Sequence, residues 1–273
     1  MFQFSERHIE EYRTLGYTVF RGIVPTSMVN DLRRECEKGR EQARRVNGPQ
    51  TQRLQPVAQF DVDQKLFQDW CDLPAVRDAV TRVIGLEHKS AGLDLLGVLL
   101  EPQDEPWCTQ WHRDWRDNVS GLDIEEWNRV YLNDELFNQV NCALYEDTCT
   151  WVVPGSHLRL DTEEEIARFP ERPIAGPQLE GLSGAERERA CIEYCNSMPG
   201  AQRLLLDAGD FCLYRNSLWH LGNYTPDKKR ATLHDSVFTA AFKDWWTTAP
   251  AKAAERRAQG ITWENPNRVP VAS

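Results

Sequence analysis

Apolar side chains recur at helical spacing through the first part of the chain. Between Ser5 and Gly16 they fall at Ile9, Tyr12 and Leu15, on one helix face. Ser5 stands where an N-cap is wanted and Gly16 where a helix stops. Residues 17–23 (YTVFRGI) are β-branched and aromatic and predict a strand. Thr26 or Ser27 then caps a second helix that runs through Met28, Val29 and Leu32 to about residue 45. Residues 46–59 hold Gly, two Pro and several Gln and read as a loop. Two short helices fill residues 62–85.

From Leu93 the period changes. DLLGVLLEP, CTQWHRDW, FNQVNCALYE, CTWVVPG, QRLLLDAGDFCLYR and RATLHDSVFTAAF are short β-rich runs parted by turn residues. Residues 161–169 and 183–195 break the series as helical insertions, and a last helix is predicted from Pro250 to about residue 260. Closely spaced strands point to a sandwich or barrel, not to alternating β-α units. The fold predicted is mainly β with flanking helices, around a double-stranded β-helix (jelly roll, cupin-like) core. One domain is expected over residues 1–273: a helical flank to about 90, the jelly roll over 91–245, then the terminal helix.

The formal charge of −10 argues against a nucleic-acid partner, which asks for a basic surface. No run of 18 apolar residues exists to span a membrane. The first residues carry acidic side chains where a signal peptide needs an apolar stretch, and the ending RVPVAS is neither a prenylation nor a peroxisomal signal. The eight cysteines are scattered and form no CxxC pair; Cys191 and Cys195 sit four apart with no second pair to complete a zinc site. They read as reduced thiols of a cytoplasmic protein. No feature of the sequence fixes an oligomeric state. Of the ten tryptophans, Trp107, Trp111, Trp115, Trp127 and Trp219 are candidates for an aromatic pocket wall.

The strongest chemical signal is Trp111-His112-Arg113-Asp114-Trp115. On a strand, His112 and Asp114 share a face with Gln110, while Trp111, Arg113 and Trp115 take the other, where the two tryptophans would pack the barrel against the front helices. An imidazole and a carboxylate so placed anchor a divalent metal at two points, although a lone His-x-Asp is more often structural. His220, beside a predicted strand end, offers a third ligand. Two His and one carboxylate make the facial triad of non-haem Fe(II) oxygenases, which leaves positions open for cosubstrate and O2. Arg230 lies ten residues beyond His220, with Thr232 two further along the same face. A fixed guanidinium there would grip a carboxylate in two-pronged fashion; in isolation it reads as a surface cation of the run DKKR.

Four stretches together resemble the phytanoyl-CoA dioxygenase family of Fe(II)/2-oxoglutarate oxygenases. They are HIEEYRTLGYTVFRGIVPTSMVNDLRRE, WHRDW, ALYEDTCTWVVPGSH and WHLGNYTPDKKRATL, in the family's order, over roughly residues 5 to 245. The resemblance implies a dioxygenase that oxidises a small-molecule substrate and releases succinate and CO2, by hydroxylation first, with desaturation or another oxidative rearrangement left open. It implies His112, Asp114 and His220 as iron ligands and Arg230 as the partner of the 2-oxoglutarate C5 carboxylate. Gln110 and Asn141, both on predicted core strands, are candidate polar neighbours of the cosubstrate, with strand parity supporting only Gln110; Thr232 is a further candidate, and His157 reads as a turn-fixing residue. Asp114 keeps the carboxylate that related halogenases lack, which disfavours halogenation.

Three departures stand out. The His220 to Arg230 gap is one shorter than is common, Asp147-Thr148 replaces an Asn-Gly turn, and Thr150 replaces an apolar residue. Arg113, Arg116, Arg203 and Arg215 are candidates to meet an anionic substrate, and residues 46–59 and 158–200 are candidate lids. A fatty acyl-CoA is disfavoured by the lack of a peroxisomal signal. The rival readings are a Zn²⁺-dependent hydrolase or isomerase on the same jelly roll, and a silent binding protein that keeps the fold.

Overall fold

The computed structural model describes residues 2–85 and 87–266; the terminal RVPVAS lies outside them. Helix α1 (Glu6–Leu15) starts at Ser5, whose capping box with His8 satisfies the first turn, and ends at Gly16 in the left-handed conformation. Strand β1 (Tyr17–Phe20) leads to α2 (Thr26–Asn47). The predicted loop then contains a short strand, β2 (Arg53–Leu54). Helices α3 (Gln64–Cys71) and α4 (Pro74–Ile84) follow as expected. After them come β3 (Lys89–Ser90), β4 (Gly97–Leu100), β5 (Trp107–Cys108), α5 (Ile124–Val130), β6 (Asn138–Ala143) and β7 (Thr150–Val152). The insertions form α6 (Glu163–Arg168) and α7 (Gly184–Asn196). Strands β8 (Gln202–Arg203), β9 (Phe211–Arg215), β10 (His220–Tyr224) and β11 (Ala231–Phe238) precede the last helix, α8 (Ala240–Ala258).

Two antiparallel sheets face one another. The larger runs β1-β9-β6-β11-β4-β2, with β3 also paired to β11; the smaller runs β5-β10-β7-β8. The front segment is thus not helical only, because β1 closes one edge of the large sheet and β2 the other. Alternation along each strand divides the large sheet into two faces. Val140, Cys142, Phe211, Leu213 and Leu233 turn toward the helices and join Tyr12, Leu32, Phe67 and Val80 in one apolar cluster. Gln139, Asn141, Tyr214 and His234, one position off in register, turn toward the small sheet and line a cavity between the sheets.

Two predictions need correction. The terminal helix begins ten residues before Pro250, which sits inside it. Thr239 caps it by accepting from the Phe242 N–H (3.1 Å), and Phe242, Trp245, Ala249 and Ala253 bury one face. The strand predicted through WHRDW does not form. After β5 the chain makes only a single bridge at His112, with both N–H···O bonds to His220 (3.1 and 3.0 Å), then turns at Asp114. Trp115 takes a φ of 68°, which no strand allows. All eight cysteines are buried and unpaired. Among the described residues, no helix is long and apolar enough to cross a membrane.

Candidate active site

His220 opens β10 and His112 is bridged to it across the small sheet, so their rings come within 4.3 Å, centroid to centroid. Asp114 is brought to the pair by the turn, where its own N–H donates to the Asn216 carbonyl (2.8 Å). The result is a cluster in which ligand atoms of His112, Asp114 and His220 all lie within 4.8 Å of one another. Each imidazole is fixed from behind. His112 Nδ1 contacts the Gln110 carbonyl at 2.8 Å and His220 Nδ1 the Leu218 carbonyl at 3.0 Å. A carbonyl can only accept, so Nδ1 carries the proton in both rings and Nε2 is left as the lone-pair donor. Asn118 Nδ2 donates to Asp114 Oδ1 (2.7 Å) and Asn216 Nδ2 to Oδ2 (3.0 Å), which sets the carboxylate plane.

The electrostatics suit a cation. Burial opposes ionisation of Asp114, but the His220 and His112 rings hold its carboxyl below the usual range. Burial and the neighbouring His112 push His220 down, so its ring is neutral and able to coordinate.

Beneath the triad segment lies a buried ion network. Arg116 pairs with Asp117 and Asp161 (2.8 Å each), Arg172 with the same two carboxylates (2.9 and 3.1 Å), and Arg113 with Asp161 (3.2 Å). All three guanidinium carbons lie 4.6 to 6.0 Å from the Trp219 ring centroid. This network clamps residues 113–117, and with them Asp114, to the segment that follows the Pro-Gly-Ser-His turn.

The triad opens into a cavity of about 450 Å³. Arg230, just before β11, borders it and is almost fully buried. Its backbone is tied to the front of the chain: the Arg230 N–H donates to Glu101 Oε2 (2.7 Å), and Arg40 Nη2 from α2 donates to the Arg230 carbonyl (2.8 Å). Glu101 is itself held by Arg40 and Arg44. The Arg230 Nε donates to Asp147 Oδ2 (2.9 Å), while Nη1 and Nη2 are buried without any hydrogen-bond partner. A buried guanidinium edge left unpaired is costly, and a carboxylate is its natural complement.

The structure separates the candidate residues. His112, Asp114, His220, Arg230 and Asn141 all border one cavity. Asn141 donates to Thr150 Oγ1 (3.2 Å) and its Oδ1 meets His234 Nδ1 (2.9 Å). Gln110 is a correction: its side chain is exposed and outside the cavity lining, because the parity argument required a strand that is absent. Only its carbonyl serves the site. Thr232 is also displaced from the lining; it is fully buried and its hydroxyl donates to Asp147. Arg113, Arg116 and Arg215 do not face the cavity, being buried and paired with aspartates, and Arg203 stacks on Trp151 outside it. His157 is structural as expected, its Nε2 meeting the Arg13 carbonyl (3.2 Å).

The tryptophans divide differently from the parity reading. Trp115 borders the cavity and packs edge-on against Trp245 and Trp246 of α8, not against the front helices. Trp111 is buried against α7, Cys191 and Cys195 included. Trp107 stacks on Tyr224, and Trp127 and Trp219 are buried away from the lining. Of the two candidate lids, the first supplies Arg53 to the lining; residues 158–200 supply none. His234, Tyr214, Gln139, Arg53 and Trp246 were not foreseen. The strand alternation that places Gln139 and His234 beside Asn141 was available in the sequence, but register was not.

These features can be set against known proteins. The family model described as "Phytanoyl-CoA dioxygenase (PhyH)" matches residues 12–231. No curated protein is similar enough in sequence to count as a relative. Among solved structures, the fold is similar to the non-haem alpha ketoglutarate dependent epimerase SnoN from nogalamycin biosynthesis, with 16% identity, 86% of this chain and 80% of that one covered, and a TM-score of 0.56. The carbocyclase SnoK from the same biosynthesis gives 17%, 87%, 85% and 0.56. EctD from S. alaskensis, solved with 2-oxoglutarate and 5-hydroxyectoine, gives 16%, 87%, 77% and 0.52. At such identities the structural matches establish the jelly-roll fold, and the family model establishes the rest: the chain belongs to the phytanoyl-CoA dioxygenase family and is an iron- and 2-oxoglutarate-dependent oxidoreductase.

Proposed function

We propose that the chain hydroxylates a small molecule, with His112, Asp114 and His220 as the iron ligands and Arg230 as the anchor of the 2-oxoglutarate C5 carboxylate. One observation carries this reading: the unpaired Nη1 and Nη2 of Arg230 and the three-ligand cluster border the same cavity. The donor set fits the metal, since two imidazole nitrogens and one carboxylate leave half of an octahedron open. Iron(II), when bound with 2-oxoglutarate and O2, supplies the oxidising power for a C–H bond, with succinate and CO2 as coproducts.

The chain's own residues do the positioning. The Gln110 and Leu218 carbonyls fix the imidazole tautomers. Asn118 and Asn216 orient Asp114, which stays ionised. Trp115 and Trp246, packed edge to face, give the cavity lining an apolar wall, and Arg53 adds a cation to it. The Arg230 fork explains why a zinc hydrolase or isomerase is the weaker reading: hydrolysis at the triad has no use for a buried dicarboxylate anchor.

Hydroxylation is the outcome proposed; the carboxylate of Asp114 speaks against halogenation and leaves the other oxidations to be told apart by their products. The solved structures of similar fold include an epimerase and a carbocyclase, so product mass decides. Anaerobic protein loaded with Fe(II) should develop a visible charge-transfer band on adding 2-oxoglutarate. His112→Ala should abolish it, and Arg230→Ala should raise the 2-oxoglutarate concentration needed by about a hundredfold. A substrate panel scored by succinate release and mass spectrometry should then give a product one oxygen heavier. No band in the wild type would overturn the oxygenase assignment of these residues; a product of unchanged formula, or one lighter by two hydrogens, would replace hydroxylation by epimerisation or ring closure.

A further inference from the structure

The Arg230 guanidinium can serve as a fork only if its free edge keeps facing the cavity. An arginine side chain has several rotatable bonds, and its head must be held on other sides to stay put. The structure holds it on three. Its backbone is tied to Glu101 and Arg40. The Tyr224 ring lies under its plane, 4.9 Å from centroid to guanidinium carbon. Its Nε edge is taken by Asp147.

Asp147 is built for that task. Its backbone N–H and carbonyl both pair with Leu206 (2.8 and 3.0 Å), so the residue cannot swing. Oδ1 accepts from the Cys149 N–H (2.8 Å), and Oδ2 accepts from both Arg230 Nε and the Thr232 hydroxyl. Thr232 Oγ1 also lies 3.3 Å from Nε. Asp147 and the Arg230 side chain are each 2% exposed, so water does not compete for these bonds. The hydrogen bonds that the Asp147 carboxylate accepts thus come from its own turn, from the arginine and from the threonine beside it.

Resting on the proposed role of Arg230, we propose that Asp147, buttressed by Thr232, is a positioning residue for 2-oxoglutarate. Its accepting oxygen holds Nε so that Nη1 and Nη2 present a preformed fork to the cosubstrate carboxylate. The oxygen, not the negative charge, is the working part: a second carboxylate docked on the far edge of the same guanidinium gains nothing from the first one's charge.

The test is titration of 2-oxoglutarate into Mn(II)-loaded protein by calorimetry, with Mn(II) affinity measured separately for each variant. Asp147→Ala should weaken 2-oxoglutarate binding about tenfold or more, and Thr232→Val about three- to tenfold, with Mn(II) affinity unchanged. Asp147→Asn, which keeps one accepting oxygen, should bind within about threefold of the wild type. Thr232→Val is nearly isosteric and keeps the test decisive if Asp147→Ala does not fold. In turnover, the loss should appear in KM for 2-oxoglutarate and not in kcat. Unchanged affinity in both Asp147→Ala and Thr232→Val would overturn the proposal. So would tighter binding in Asp147→Ala, equal weakening in Asp147→Asn and Asp147→Ala, or a parallel fall in Mn(II) affinity. Failure of the wild type to bind 2-oxoglutarate would instead strike at the functional reading on which the inference rests.

Discussion

Asp235 offers a measurable test of how burial acts in this fold. It lies on β11 but faces the helices, opposite to the cavity face of its neighbour His234. Its Oδ1 accepts from the Ala91 and Ser236 N–H groups (3.2 and 2.8 Å), and Oδ2 from the Ser90 hydroxyl (2.5 Å). Burial pushes its carboxyl up to about 6, against the pull of those three bonds. In the unfolded chain the value returns to about 3.9. The folded state therefore binds the proton more tightly. Stability from this group is complete below the unfolded value and is lost as pH rises through about 6. At about 1.4 kcal/mol per unit, the shift of roughly two units costs about 3 kcal/mol at pH 7. Asp235→Asn removes that cost without losing the bonds, since the amide oxygen accepts from both N–H groups and the amide nitrogen donates to Ser90 Oγ. Urea unfolding at pH 7 should show the variant more stable by up to about 3 kcal/mol, with the difference shrinking toward zero near pH 4. Binding of 2-oxoglutarate should be unaltered. A variant less stable at pH 7, or an advantage that does not change with pH, would refute the reasoning.

Two further outcomes follow from the site. Asn216→Ala keeps the backbone bonds that place residue 216 but frees Asp114 Oδ2, so Mn(II) affinity, followed by electron paramagnetic resonance, should fall about tenfold. Arg172→Ala leaves Asp117 and Asp161 buried with fewer cations, and equilibrium unfolding at neutral pH should show a loss of about 3–5 kcal/mol.

Local rules carried the helices well. Ser5 and Gly16 bounded α1, and the insertions at α6 and α7 were readable from their periodicity, because capping and helix spacing are decided within a few residues. The triad was readable for a different reason: residue type and chain order sufficed, and the argument from strand parity was unnecessary and wrong. His112 and Asp114 meet through a bridge and a turn, and Trp115 escapes the expected face because the turn gives it positive φ. Gln110 was lost with the same argument. Arg230 could be named, yet its setting could not. That depends on Asp147, Glu101 and Arg40, all more than eighty residues away in sequence, and on register between strands that no local pattern encodes. Trp115 was among the candidates for an aromatic wall, but its partner Trp246 was missed because α8 was started too late; that residue belongs to a turn of helix that precedes Pro250.

The position of β11 has a consequence for how the unpaired edge of Arg230 comes into being. The strand pairs with β6 on one side and with β4 and β3 on the other, all made much earlier in synthesis, and β4 and β6 are joined in the sheet only through it. Arg230 stands at the threshold of that strand, where the anchor points already laid down by α2, β4 and the Asp147 turn are waiting. Closing the gap in the sheet and installing the arginine are thus a single act of assembly: a nascent chain without its central strand also lacks the guanidinium proposed to anchor the cosubstrate.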